Sequence, residues 1–193
     1  MRIVGGAYRG RAIIAPPGAS TRPTSDRARE SIFNVLEHAP WSAGLRDARV
    51  IDLFAGSGAL GLEALSRGAA FCLFVETDAA ARGVIRENVE ALGAQGELFG
   101  RTRIHRRDAV DLGARPGADG PAFDIAFLDP PYGKGLGEQA MAQLAAGDWL
   151  AEGALAVFER GADEPAPQTP GFETLDERRY GAARVLFARW SAG

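Results

Sequence analysis

One thirteen-residue stretch, Arg49-Val50-Ile51-Asp52-Leu53-Phe54-Ala55-Gly56-Ser57-Gly58-Ala59-Leu60-Gly61, constrains this chain more than any other. Val50, Ile51, Leu53 and Phe54 form the apolar run that a parallel strand buries on both faces. Gly56 and Gly58 then allow a sharp turn and a close backbone approach to a ligand. Ala59, Leu60, Leu62, Ala64 and Leu65 continue as a helix. A strand that enters a helix through glycines sits at the carboxyl end of a sheet, where open α/β sheets bind ligands. The chain is therefore expected to be α/β, with its other elements forming the walls of that pocket.

The loop admits more than one ligand. Gly56, Gly58 and Gly61 fit the dinucleotide pattern G-x-G-x-x-G. Glu76 follows Gly58 by eighteen residues, at the end of the apolar run Phe71–Val75, and an acid there accepts hydrogen bonds from ribose hydroxyls. Asp52, inside the first strand, separates the candidates. A carboxylate just before the loop repels a pyrophosphate but favours the sulfonium and ammonium groups of S-adenosylmethionine. A packing turn with no ligand is the third reading.

With 193 residues the chain has room for a sizeable core, and a single domain over 1–193 is expected, with 1–20 as a hairpin extension. No apolar run approaches the ~20 residues of a membrane helix. The start, Met1-Arg2-Ile3-Val4, lacks the apolar region of a signal peptide. Cys72 is the one cysteine and lies in an apolar run, so it suits packing and no internal disulfide can form. A cytoplasmic location is expected. His38 and His105 are isolated, so no metal site is expected.

The net charge of −3 hides an asymmetry. Residues 1–34 hold six arginines against Asp26 and Glu30, a surplus of +4, which leaves −7 for the remainder. A basic end on an acidic body suits a face that meets a polyanion, or a solvated surface. Ile3-Val4 and Ala12-Ile13-Ile14 read as a small hairpin around Gly5-Gly6 and Gly10. Between them Tyr8 offers a stacking face, and Arg9 and Arg11 offer phosphate contacts. After the linker-like Pro16–Ser20, a helix is expected to start near Thr24, Ser25 or Asp26 and run to about Glu37. Its start, with Arg27 and Arg29, suits a substrate phosphate, the cofactor carboxylate, or simple coverage of the sheet.

Strand and helix then alternate. A helix capped by Asp78 runs through Leu92, and a short, arginine-rich strand from Thr102, read as near an edge, ends at Asp108-Ala109. An acid at that tip can accept from an adenine amino group, or cap a turn. Phe123–Leu128 is the fourth strand and leads into Asp129-Pro130-Pro131-Tyr132. Two prolines cannot continue a strand; they stiffen the turn and leave carbonyl oxygens as fixed acceptors. Asp129 beside such a carbonyl suits an exocyclic amine, and Tyr132 can stack on the ring that carries it. A fifth strand is read at Leu155–Phe158, and Phe172–Tyr180 with Arg184–Trp190 as a terminal antiparallel hairpin.

With Asp52-Leu53-Phe54-Ala55-Gly56-Ser57-Gly58, Glu76, Asp108-Ala109 and Asp129-Pro130-Pro131-Tyr132 in that order, the chain resembles class I S-adenosylmethionine-dependent methyltransferases. Arg2-Ile3-Val4-Gly5-Gly6, Arg9-Gly10-Arg11, Arg22-Pro23-Thr24, Asp26-Arg27 and Arg29-Glu30 narrow the likeness to the bacterial RsmD family. The resemblance implies a Rossmann-like fold: a mostly parallel seven-stranded sheet with an antiparallel C-terminal hairpin and a small N-terminal β-hairpin. It implies transfer from S-adenosylmethionine to the N2 amine of guanine 966 in 16S ribosomal RNA, in an assembled or assembling small subunit, by a monomer. Gly56 and Gly58 would cradle the cofactor, Asp52 would lie near its amino-acid end, Glu76 would bind the ribose and Asp108 the adenine, with Phe54 and Ala109 in the same site. Asp129 and the Pro130 carbonyl would hold the guanine amine under Tyr132, and Tyr8, Arg9, Arg11, Arg22 and Arg27 would contact RNA.

Three alternatives stand beside this reading. An adenine-N6 DNA methyltransferase shares the D-P-P-Y pocket but commonly carries a sizeable target-recognition region, for which this chain has little room. A nicotinamide oxidoreductase is disfavoured by Asp52 and leaves D-P-P-Y unexplained. A non-enzymatic RNA-binding module does not need the cofactor residues.

Overall fold

The computed structural model describes residues 1–16, 25–93 and 96–192. Ser25 caps helix α1 (Asp26–His38), its Oγ accepting from the Ala28 N–H at 3.1 Å. The central unit follows as strand β1 (Arg49–Leu53), the glycine turn and helix α2 (Ala59–Ser66). Next come β2 (Phe71–Val75), α3 (Ala79–Leu92, capped by the Asp78 carboxylate), β3 (Thr102–His105) and β4 (Phe123–Leu128). Helix α4 (Leu136–Ala146) and strands β5 (Leu150–Gly161), β6 (Phe172–Tyr180) and β7 (Ala183–Trp190) complete the chain.

The seven strands form one sheet in the order β3-β2-β1-β4-β5-β7-β6. β1 lies parallel to β2 and β4, β2 to β3, and β4 to β5, while β7 runs antiparallel to both of its neighbours. The mostly parallel sheet with a C-terminal hairpin is the expected architecture, and the short β3 is an edge strand as read. β1 and β4 sit where the order reverses, the crevice in which such sheets bind ligands.

Successive residues of the central strands point to opposite faces, and both faces are covered. Val50, Phe74, Ile125, Phe127 and Val157 pack with Ile32, Phe33 and Leu36 of α1, Leu62 and Leu65 of α2, and Ile85 and Leu92 of α3. Ile51, Leu53, Leu73, Leu128 and Phe158 pack with Ala140, Met141 and Leu144 of α4 and with Trp149. Cys72 is buried in the first of these layers.

Two strand bounds change. β5 runs from Leu150 to Gly161: Phe123↔Leu150 extends its pairing with β4, and β7 pairs with it from Leu155↔Arg189 to Gly161↔Ala183, carrying the ladder through Glu159 and Arg160. β3 ends at His105, so Asp108 lies beyond the strand rather than at its tip. The N-terminal hairpin carries the bridge Arg2↔Ala12 and is fastened along α2. Val4 N–H donates to Glu63 Oε2 and Tyr8 N–H to Ser66 Oγ, both at 2.9 Å, and Ser66 Oγ donates to the Gly5 carbonyl. Gly6 is required there: its φ is +72°, and a Cβ would fall 1.9 Å from the Ser66 carbonyl oxygen.

Candidate active site

Parallel register assembles the site. Leu53 of β1 aligns with Val75 of β2 and Leu128 of β4, and Leu128 aligns with Phe158 of β5. The next residue on each strand, Phe54, Glu76, Asp129 and Glu159, therefore emerges at one rim. All four line a cavity of about 1390 Å³ together with Asp52, Gly56, Pro130 and Tyr132. Arg27 at the start of α1 and the β6–β7 turn at Gly181–Ala182 form its far wall. Asp108 and Ala109 line a neighbouring cavity of about 220 Å³, whose walls at Phe54, Glu76 and Pro131 are shared with the first.

The glycine turn is strained where it meets the cavity. Phe54 holds φ +58°, uncommon for a residue with a Cβ and concentrated at functional sites. Gly56 follows with φ +55°, and its N–H donates to Glu76 Oε2 at 2.9 Å. Glu76 Oε1 accepts from the Asp78 N–H, also at 2.9 Å. Two backbone donors thus fix the carboxylate, and each oxygen keeps a lone pair for a further donor. Gly58, expected in the cradle, is buried between cavity-lining residues with φ +77°, and a Cβ there would come 3.2 Å from Phe74 and 3.4 Å from Ile85. It lets the turn pack on the sheet.

Asp52 is buried under the turn, its Oδ2 accepting from the Gly61 N–H at 2.9 Å. Loss of solvent pushes its pKa up to about 8; the Gly61 bond opposes this and the charge of Glu76 adds to it. Asp129 is recessed in the rim, and desolvation, then the charges of Glu159 and Asp52, hold its pKa well above the usual carboxylate range. Among the described residues neither aspartate forms an ion pair. Tyr132 is half exposed to the cavity, and its hydroxyl donates to Glu159 Oε1 at 2.6 Å. Burial and that bond raise its pKa.

The arrangement suits a cationic ligand with a ribose. Asp52 favours positive charge beside the glycine turn, Glu76 offers acceptors to hydroxyls, and nothing in the acid rim favours a pyrophosphate. Asp108 lies by the smaller cavity, exposed, with Oδ1 accepting from the Val110 N–H at 3.1 Å; it caps a turn while facing that cavity.

Met1, Ala15 and Pro16 reach the cavity with Arg27, but Tyr8, Arg9 and Arg11 are not among the residues that line it. Tyr8 is only 9% exposed and packs in the core, its hydroxyl donating to Glu97 at 3.2 Å, so the expected free stacking face is corrected. Gly5 and Gly6 bring the hairpin so close to α2 that the ring is folded beneath it. Arg9 is exposed, and Arg11 is exposed with its guanidinium on the Ala91 carbonyl. Arg22 lies outside the described residues. Arg29 lines the cavity yet is 1% exposed, and its charge is already matched by Asp26 and by the buried Glu63. Sequence reasoning missed Glu159 and the β6–β7 turn. The signal for Glu159 was an acid at the end of an apolar strand, Ala156-Val157-Phe158-Glu159, parallel to the strand that ends in Asp129.

Sheet order, glycine turn and acid rim define the class, a Rossmann-like methyltransferase. The family described as "Conserved hypothetical protein 95" matches residues 1–189. Ribosomal RNA small subunit methyltransferase D of Escherichia coli is 39% identical over 187 residues, covering 97% of this chain and 87% of that protein. Its counterpart from Haemophilus influenzae is 34% identical over 94% of this chain and 89% of its own length. The solved structure of Escherichia coli yhhF superimposes with a TM-score of 0.83 at 35% identity, covering 100% of this chain and 99% of that one. The fold is shared more widely: the rRNA methyltransferase aviRa of Streptomyces viridochromogenes aligns with a TM-score of 0.68 at 19% identity, over 92% of this chain and 88% of its own. The chain belongs to the Conserved hypothetical protein 95 family, the RsmD family.

Proposed function

We propose that this protein methylates the exocyclic N2 amine of a guanine, position 966 by the family resemblance, in 16S ribosomal RNA of the small subunit, with S-adenosylmethionine as donor. The observation that carries the reading is the rim itself: Asp129 and Pro130 at the end of β4, under Tyr132, beside a glycine turn whose buried acid favours a cation. The relatives named for ribosomal RNA methylation supply the substrate class.

When bound, S-adenosylmethionine supplies a methyl group already activated by its sulfonium. Asp52, Phe54, Gly56 and Glu76 would hold it in the larger cavity, with Asp108 and Ala109 at the smaller one. The amine of guanine is a weak nucleophile because its lone pair is delocalised into the ring. Asp129 and the Pro130 carbonyl accept its hydrogens and turn the lone pair toward the donor. Tyr132 stacks on the base, and Glu159 fixes the tyrosine through its hydroxyl. The ring of Tyr132 lies close over β5, since a Cβ on Gly161 would meet its Cδ2 at 3.4 Å. Holding amine and donor in line supplies much of the acceleration, and no covalent intermediate on the protein is needed. The raised pKa of Asp129 makes its ionised form a ready acceptor for the proton the amine must lose. The target base must be splayed out of folded RNA to enter the cavity. Arg9, Arg11, Arg22 and Arg27 would meet the phosphates around it.

The test is transfer from labelled S-adenosylmethionine to unmethylated small subunits, their naked RNA and undermethylated DNA, followed by hydrolysis and identification of the base. N2-methylguanine in RNA, lost with Asp129→Ala, supports the reading; N6-methyladenine in DNA refutes it.

A further inference from the structure

We propose that Glu164 is a positioning residue for methyl transfer: by holding the backbone just after the D-P-P-Y turn, it sets where the ring of Tyr132 lies. This rests on the reading above, in which that ring stacks on the target base. It adds a residue that does not itself line the cavity.

The D-P-P-Y turn leaves its strand with few groups to hold it. Pro130 and Pro131 have no N–H to donate. Gly133 then turns with φ +75° and Gly135 with φ +62°, a conformational freedom that must be fixed from outside. The Gly133 N–H, the first backbone donor after Tyr132, donates to Glu164 Oε1 at 2.8 Å. The same oxygen accepts from the Gly161 N–H at 3.1 Å. One carboxylate oxygen therefore ties the exit of the turn to the end of β5.

Glu164 is itself built into place. Its N–H donates to the Gly161 carbonyl at 3.1 Å, closing a turn. Its own carbonyl accepts from the buried guanidinium of Arg160, which is paired with Glu177. Gly161 leaves the room: a Cβ there would fall 2.9 Å from Glu164 Oε1 and 3.4 Å from Tyr132 Cδ2, so carboxylate and ring lie against the same glycine. Burial first, then the Glu159 bond and the charges of Glu159 and Asp129, raise the Tyr132 pKa, and the charge of Glu164 adds to them. Tyr132 is thus held at both ends, its hydroxyl by Glu159 and its backbone exit by Glu164. Closing the β5 turn needs only the bonds to Gly161. The bond to Gly133 reaches a segment 31 residues away, the one that carries the ring. A base stacked on a ring displaced by about 1 Å loses its alignment with the donor, and misplacement of that size can cost about 10²-fold in rate.

The experiment measures single-turnover methyl transfer to unmethylated small subunits, S-adenosylmethionine affinity and thermal stability. The proteins are the wild type, Glu164→Ala, Glu164→Gln, Gly161→Ala, Tyr132→Ala and the double variant Tyr132→Ala with Glu164→Ala. Glu164→Ala should slow transfer on the order of 10–100-fold while cofactor affinity stays within about threefold. Glu164→Gln keeps an oxygen acceptor for both N–H groups and should restore most of the rate. Gly161→Ala crowds only the end of a flexible side chain, so it should displace the carboxylate and slow transfer in the same way with the fold intact. Because Glu164 acts through the ring, Glu164→Ala should cost less than about twofold once Tyr132 is already alanine. The full loss persisting in that background overturns the inference, as does a wild-type rate in both Glu164→Ala and Gly161→Ala; either leaves Glu164 as a closure of the β5 turn alone. A wild type that yields no N2-methylguanine overturns both the parent reading and this one, and is recognised without any variant.

Discussion

Two of the groups of buried charges in this molecule, one beneath the N-terminal hairpin and one at the carboxyl rim, are built differently. Beneath the N-terminal hairpin, Glu63 is fully buried and Arg29 nearly so, but each has partners: Glu63 Oε1 meets Arg67 at 2.7 Å, Glu63 Oε2 takes the Val4 N–H, and Arg29 meets Asp26 at 2.8 Å. At the carboxyl rim, Asp52 and Asp129 have no cationic partner among the described residues and are pushed toward their neutral forms. The first group ties one segment to another. The second leaves two acids beside a cavity with no cation among the described residues, so that a cationic ligand gains by drawing out their charge. Buried charge by itself therefore marks neither structure nor function; the pairing decides which.

The contrast can be broken at either end. Asp129→Ala should lower methyl transfer by roughly 10²–10⁴-fold, the range for a positioned proton acceptor, while cofactor affinity stays within a few-fold. Single-turnover rates and calorimetric titration separate the two effects. Glu63→Ala should do the reverse: it leaves Arg29 and Arg67 buried without their shared partner and should cost about 3–5 kcal/mol of stability in urea unfolding. If the rim and the hairpin were equivalent, each variant would damage stability and activity alike.

Asp52→Asn sharpens the comparison. It should weaken S-adenosylmethionine binding about tenfold by removing charge beside the turn, yet stabilise the ligand-free protein at alkaline pH. Asp52 has its pKa raised from 3.8 to about 8 by folding, so the folded state binds more protons than the unfolded state between those values. Stability of the wild type should therefore fall as pH rises through that window, and the asparagine variant should lose that part of the slope in thermal melts across pH 4–9. The smallest effect concerns the exposed arginines. Arg9→Ala or Arg11→Ala should reduce the salt dependence of RNA binding by about one unit of slope each and leave cofactor binding unchanged.

Much of the rim was legible from local pattern. An apolar strand running into glycines, the acid ending the Phe71–Val75 run and the D-P-P-Y turn each announce a strand end, and parallel pairing brings strand ends together. The alternation in Phe172–Tyr180 and Arg184–Trp190 likewise foretold a hairpin. What was not legible depends on contacts between distant segments. Arg29 sits in a helix pattern as one more charged residue, and only the approach of Glu63 from α2 makes it internal. Tyr8 looks like an exposed aromatic until Gly5 and Gly6 press the hairpin onto α2. Glu159 seemed to lie past the end of its strand because the antiparallel partner that prolongs β5 comes some 25 residues later in the chain. Gly58 fits a ligand-binding pattern, and the ring of Phe74 against it adds a packing demand for glycine that the pattern does not show.

The central claim is that the buried acid Asp52, beside the glycine turn, receives a cationic cofactor. Isothermal titration of S-adenosylmethionine into the protein near pH 7.5, in buffers of different ionisation enthalpy, tests it most directly. A cation bound beside Asp52 lowers its pKa from about 8, so binding should release protons and affinity should rise as pH approaches that value. Proton release should vanish with Asp52→Asn. Binding with no proton exchange, unchanged by Asp52→Asn, would contradict the account.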